Sequence, residues 1–323
     1  MCLYPRIGTN NKYKANKRNG GNVPEMADPR FGYIAIECKK CIECRKKAAR
    51  DWRIRLQEEI KNKDERTYFV TLTFSNESWN EIADLINGLE GYNLDNEIAK
   101  KGIQRFTDRW KKKYKKRPKR WMVTELGEKG TERIHIHGIL WTNEKPSEIK
   151  KIWRYGHVYI GEYVNGKTIS YIVKYLHKQN ETHKTYIPRV YTSPGIGKEY
   201  KNTVAFEQNR YRGKETKDFY RMEDGSKVQL PNYFRMMRYT EEERELLWAQ
   251  KLDMQTRYVL GEKFDVSKGF GEFEKKLYIA QRKNDSWGYG NNVIDWDRRV
   301  YERKIRRIRH DTIRNSRNNN NNE

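Results

Sequence analysis

The chain has 323 residues and carries 68 Lys and Arg against 44 Asp and Glu, a formal charge of +24, so one large domain or two modest ones are expected with a polyanion, most simply nucleic acid, as partner. Leu, Ile, Val and Phe number only 63, but 22 Tyr and 9 Trp supply buried area in their place. No run approaches the ~18–20 apolar residues that span a membrane, and the opening MCLYPRIGTNNKYK lacks the apolar stretch of a signal peptide, so membrane-spanning and secreted proteins are excluded.

Residues 1–33 are rich in Asn, Gly and Lys and read as an arm. Cys38, Cys41 and Cys44 follow in CKKCIEC, and with Cys2 they are too few for a disulfide framework of this size. Four thiolates satisfy a tetrahedral zinc ion if Cys2 folds back across about 36 residues. The plainer alternative is a set of reduced thiols leading a helix. Ala48, Trp52, Leu56 and Ile60 recur every four residues and predict a helix over 45–60. Its other faces carry Arg45, Lys46, Lys47, Arg50, Arg53 and Arg55, for phosphates or for solvent.

YFVTLTF at 68–74 predicts a strand, and 76–117 reads as helix interrupted near Gly88 and Gly91. Eight Lys and Arg then lie between Trp110 and Trp121, a solvated face or, with its aromatics, a DNA-facing one. Strands over 120–126 and 133–141 flank GEKGTE and predict an antiparallel hairpin. A strand at 157–163 and a helix at 168–177 follow. Later come predicted helices at 241–260 and, strongly basic, at 298–314, before an NNNNNE tail. The order predicts an α+β fold, a central antiparallel sheet covered by helices on one side. The expected division is 1–65 for the arm, cysteines and basic helix, 66–200 for the core, and 201–323 for a basic C-terminal region of unassigned role.

Chemistry concentrates at His135 and His137. Two apart on a strand, both imidazoles face one side while Ile134 and Ile136 face the core, which forms a fork for a divalent metal; the alternative is a pair of satisfied core histidines. Folding the hairpin brings Glu125 alongside as a third ligand, preferred over Glu128 because a strand holds a ligand more rigidly than a loop. Two imidazoles and one carboxylate leave positions open for substrate, as in a catalytic centre. Farther on, Tyr171 and Tyr175 are one helical turn apart, each followed after three residues by a lysine, Lys174 and Lys178. The pair is either packing or a nucleophile pair, since a nearby ammonium group and a metal help a tyrosine of pKa near 10 to attack a phosphate.

YFVTLTF, ERIHIHG and YIVKYLHK, in that order, resemble the three motifs of HUH rolling-circle replication initiators, in the two-tyrosine form of the gene A proteins of small icosahedral single-stranded DNA phages. MCLYP, CKKCIECRKKAARDW and TSPGIGKEY at 192–200 are similar to the gokushovirus-type initiators of microviruses. The likeness covers roughly residues 1–240. It implies an HUH endonuclease sheet, with His135, His137 and Glu125 as ligands for Mg²⁺ or Mn²⁺. Tyr171 and Tyr175 become the nucleophiles, Lys174 and Lys178 their phosphate-contacting partners, and Thr71 and Thr73 support. His157 and His177 are left structural.

The implied activity is metal-dependent nicking and joining of single-stranded or supercoiled phage origin DNA through a 5′-phosphotyrosyl link, in the cytoplasm of a bacterial host. No GxxxxGK[ST] occurs, so host helicase and DNA polymerase are expected partners. Zn²⁺ at the cysteines stays open. The rival readings are a non-enzymatic, zinc-stabilised nucleic-acid-binding protein and an HUH transposase or relaxase. Tyr171, nearer the helix N-terminus, is expected to cut first.

Overall fold

The computed structural model describes residues 1–62, 64–127, 132–178, 180–289 and 296–320, with side chains up to 309. In chain order, β1 (Arg6–Thr9) and β2 (Tyr33–Ile36) precede α1 (Ile42–Glu59). There follow β3 (Thr67–Leu72), α2 (Asn76–Ala83), α3 (Gly91–Tyr114), β4 (Lys119–Leu126), β5 (Ile134–Trp141), α4 (Pro146–Trp153), β6 (Val158–Gly161), α5 (Gly166–Val173) and β7 (Val190–Thr192). The remainder comprises α6 (Val204–Gln208), β8 (Phe219–Arg221), β9 (Lys227–Gln229), α7 (Asn232–Arg238) and α8 (Glu241–Asp253). It ends with β10 (Thr256–Val259), β11 (Glu262–Asp265), α9 (Gly271–Ser286) and α10 (Arg298–Asn320). Two compact units result, one of Met1–Arg45, Glu207–Phe219 and Asn232–Glu323, the other of Lys46–Phe206 and Tyr220–Pro231.

The second unit is built on a five-stranded sheet in the order β6-β3-β5-β4-β7, antiparallel throughout, so the mixed α/β reading with a central antiparallel sheet is borne out. Side chains alternate across each strand. Val70, Leu72, Met122, Ile134, Ile136 and Leu140 face one way, into a core with Ile82, Ile98, Phe106, Trp110 and Trp153 from α2, α3 and α4. Trp121, Val123, Ile139 and Trp141 face the other, against Ala49 and Leu56 of α1 and Ile169 and Ile172 of α5. Helices thus cover both faces, not one, because residues of both parities are bulky and apolar.

Helix α1 begins three residues earlier than the periodicity predicts, and its buried stripe uses Ala49 (4% exposed) while Ala48 lies exposed. Arg45 is not a free phosphate contact: it is buried, sits 4.0 Å over the Tyr289 ring and donates to the Lys40 carbonyl. Within the second unit, Arg55 donates to the Ile196 carbonyl and the Gly197 amide donates to Glu59 at 2.5 Å. Gly197 has φ +79°, and a Cβ there would lie 3.1 Å from the Arg55 backbone, so glycine is required in the 192–200 segment.

In the first unit, residues 1–33 are not a loose arm. Strand β1 pairs with β2, and Cys2, Leu3 and Tyr4 are buried with Val259, Phe273 and Leu277. The helix predicted over 241–260 stops at Asp253, where Gln255 takes φ 48°. Leu260 and Gly261, both at positive φ, form the two-residue loop that joins β10 to β11. Helix α10 extends beyond the predicted 298–314. Glu128, most of the GEKGTE turn and the end of the asparagine tail lie outside the described residues. Among those described, no helix is long and apolar enough to cross a membrane.

Candidate active site

The central strand β5 brings both histidines to the face covered by α1 and α5. Antiparallel register sets Glu125 directly opposite His135, and Thr71 and Val123 opposite His137. Directly opposed residues share a face, so Thr71, Glu125, His135 and His137 form one polar patch. The two imidazoles lie 6.5 Å apart at an interplanar angle of 23°. His137, 8% exposed, is held at both nitrogens: Nδ1 lies 3.0 Å from Thr71 Oγ1 and Nε2 lies 2.8 Å from Glu125 Oε2. The other oxygen of Glu125 accepts from Lys178 Nζ at 2.9 Å. Burial opposes charge on Glu125, yet the hydrogen bonds from His137 and Lys178 hold its carboxyl below the usual range. Burial, helped by the neighbouring His137, pushes His135 down and favours its neutral form.

The Asn165 side chain caps α5, with Thr168 completing a capping box. The predicted helix over 168–177 is α-helical only to Val173 and tightens into a 3-10 turn at Lys174–Leu176. Tyr171 and Tyr175 therefore do not stack as equivalents. The buried Tyr175 ring lies parallel to His137 at 4.4 Å and its hydroxyl donates to Tyr171 Oη at 2.7 Å, while Tyr171 is 46% exposed. Lys174 Nζ sits 4.0 Å over the Tyr171 ring; Lys178 turns to Glu125, 5.8 Å from the centre of the Tyr175 ring. Sequence reasoning missed Phe69, whose ring stands 6.3 Å from His137 and 6.2 Å from Tyr171. Its signal was period-two placement: Phe69 and Thr71 share a strand face. Thr73 donates instead to the His157 carbonyl, and His157 is exposed. His177 is half-buried.

Residues 67–180, from β3 to just past the tyrosines, match the sequence model of the family described as replication-associated protein ORF2/gene 2 protein. This region belongs to that family. The chain is also similar to replication-associated protein VP4 of Bdellovibrio phage phiMH2K, 28% identical over 62% of this chain and 66% of the relative. Replication-associated protein ORF2 of Spiroplasma virus 4 is 34% identical over 24% of this chain and 26% of its own length. The chain thus spans just under two thirds of the first relative and about a quarter of the second. No solved structure matches. These relationships bear out the likeness to phage replication initiators drawn from the motifs.

The cysteines lie outside the replication-associated domain. The sulfurs of Cys2, Cys38, Cys41 and Cys44 converge within 4.8 Å of one another and could bind a metal such as zinc. Backbone amides point at them: Cys38 N donates to Cys2 Sγ at 3.3 Å, Leu3 N to Cys41 Sγ at 3.4 Å and Cys41 N to Cys38 Sγ at 3.4 Å. Hydrogen bonds from Cys2 push the Cys38 and Cys41 thiols down, towards thiolate. Cys2, Cys41 and Cys44 are buried.

Proposed function

We propose that the chain is a site-specific, HUH-type single-stranded DNA endonuclease and joining enzyme that starts and ends rolling-circle replication of a small phage genome. The observation that carries this reading is the exposed Tyr171, whose oxygen accepts the Tyr175 hydroxyl proton at 2.7 Å beside the His137 ring. Tyr171 attacks the origin phosphorus, the bond to the 3′ oxygen breaks, and that oxygen leaves as a 3′-hydroxyl after gaining a proton. A 5′-phosphotyrosyl link remains. The Tyr175 hydrogen bond stabilises negative charge on the attacking oxygen, and Lys174 attracts the phosphate. Burial of Tyr175 supports Tyr171 as the first nucleophile. After one round Tyr175 cuts the regenerated origin, and the freed 3′-hydroxyl attacks the first link to release a circle.

The donor set fits a divalent cation. Glu125 is held ionised, His135 is held neutral, and His137 Nε2 and Glu125 Oε2 are near enough to share one ion. His135, His137 and Glu125 would hold Mg²⁺ or Mn²⁺, which neutralises charge on the non-bridging phosphate oxygens. The cysteine cluster would hold a structural zinc ion. Strand separation and synthesis fall to a host helicase and DNA polymerase in the bacterial cytoplasm.

The test incubates the full chain with Mg²⁺ and a random single-stranded DNA library, and captures adducts that survive boiling in detergent. Adducts that share one sequence and map to Tyr171 are expected. Absence of any adduct with Mg²⁺ or Mn²⁺ would sink the reading.

A further inference from the structure

Strand β6 forms the edge of the sheet, and its register sets Tyr159 opposite Thr71. Tyr159 therefore projects from the same face as His137, about two strand spacings or ~10 Å away across the sheet. It is 56% exposed, too open to be holding the core together. Its ring meets Phe69 edge-on at 6.1 Å, and Phe69 meets Tyr171 edge-on at 6.2 Å. The three rings run without a break from the sheet edge to the proposed nucleophile. Tyr163, 90% exposed, follows the same strand. Exposed aromatics scattered singly need no explanation. A connected row that ends at a reactive hydroxyl, with Lys174 over that last ring, is a different arrangement.

We propose that Tyr159 is a stacking platform for an unpaired base next to the scissile phosphate, and so sets how the single strand enters the site. This rests on the nicking reading for its location. The ligand class follows from the chemistry: planar rings take the π-face of any base, while the ammonium takes the neighbouring phosphate. A duplex hides those base faces, so the platform selects single strands. A row ending in a hydroxyl and an ammonium group, on a chain of charge +24, fits a polyanion better than the apolar patch of a partner protein.

The experiment compares binding of a dT 12-mer and an abasic 12-mer with the same number of phosphates, at fixed salt and without cleavage. Wild type is expected to prefer dT, and Tyr159→Ala should weaken dT binding about tenfold with abasic binding unchanged. Tyr159→Phe, which keeps the ring, should bind as wild type does. No base preference in wild type overturns the proposal, as it would if the surface docked a protein instead. So does equal weakening of both ligands in Tyr159→Ala, which marks a role in folding or phosphate binding. Adducts formed without a base preference overturn the platform alone; a base preference without adducts overturns only the nicking reading.

Discussion

The histidine patch and the cysteine cluster are both sets of metal-ligating side chains, but the chain builds them in opposite ways. In the patch, strand register supplies the neighbours: Glu125 opposite His135, Thr71 opposite His137. Its polar atoms are already engaged with Thr71, Glu125 and Lys178, through hydrogen bonds that a substrate phosphate or a cation can replace. In the cluster, Cys38, Cys41 and Cys44 come from one short segment and Cys2 from the distant N-terminus. Among the described residues, this is the one group in which three or more such ligand atoms converge. The contrast is that of an open catalytic centre and a closed structural one. Exchangeable partners serve turnover; mutual convergence serves stability.

The sharpest way to break that contrast is at the tyrosines. Tyr171→Phe should lower adduct formation by a factor of ~10³ or more, since no other hydroxyl is as exposed beside His137. Tyr175→Phe should still form one adduct but fail to release closed circles over repeated rounds. Peptide mapping of the adduct decides it, and an adduct on Tyr175 alone reverses the assignment. His137→Ala should abolish nicking and leave salt-dependent DNA binding nearly intact, because phosphate contacts by Lys and Arg carry the affinity. Equal loss of both would make the patch structural.

The cluster should answer in the other currency. Freshly prepared protein is expected to carry about one zinc per chain. Cys41→Ser should lower the melting temperature markedly, since binding energy at a structural site is folding energy. Adduct formation per folded molecule should hardly change. Metal analysis without zinc would return the cysteines to plain thiols, and lost nicking at an unchanged melting temperature would erase the distinction between the two sites.

What the sequence made legible follows the same division. The period of two placed His135 and His137 on one face, and the hairpin placed Glu125 beside them, because strand geometry is local. The phase of α1 slipped by one residue, Ala49 for Ala48, since both alanines satisfy a helical stripe and only packing chooses between them. The first 33 residues read as an arm because the side chains that bury Leu3 and Tyr4, such as Val259 and Leu277, lie more than 250 residues away. The break after Asp253 was hidden because Gln255 takes positive φ without a glycine to announce it. Nor could spacing distinguish the tyrosines: their inequality arises where α5 tightens into a 3-10 turn and sends one ring under the other.

The smallest expected effect concerns Thr71. Its hydroxyl meets His137 Nδ1 at 3.0 Å, which leaves Nε2 directed at Glu125 and fixes the ring plane against Tyr175. Valine has nearly the same shape but no hydroxyl, so Thr71→Val removes the hydrogen bond without opening a cavity. The cost in stability should be about 1 kcal/mol. Partners of this kind orient a ligand, and their loss typically lowers activity about 10–100-fold; the rate of adduct formation in a single turnover should fall by a factor near the lower end. Thr71→Ser keeps the hydroxyl and should restore most of that rate, whereas a packing role would leave serine, which lacks the methyl group, as impaired as valine or more. A valine variant that nicks at the wild-type rate would mean that stacking on Tyr175 and the bond to Glu125 orient His137 by themselves. The patch would then be held by fewer contacts than its register supplies.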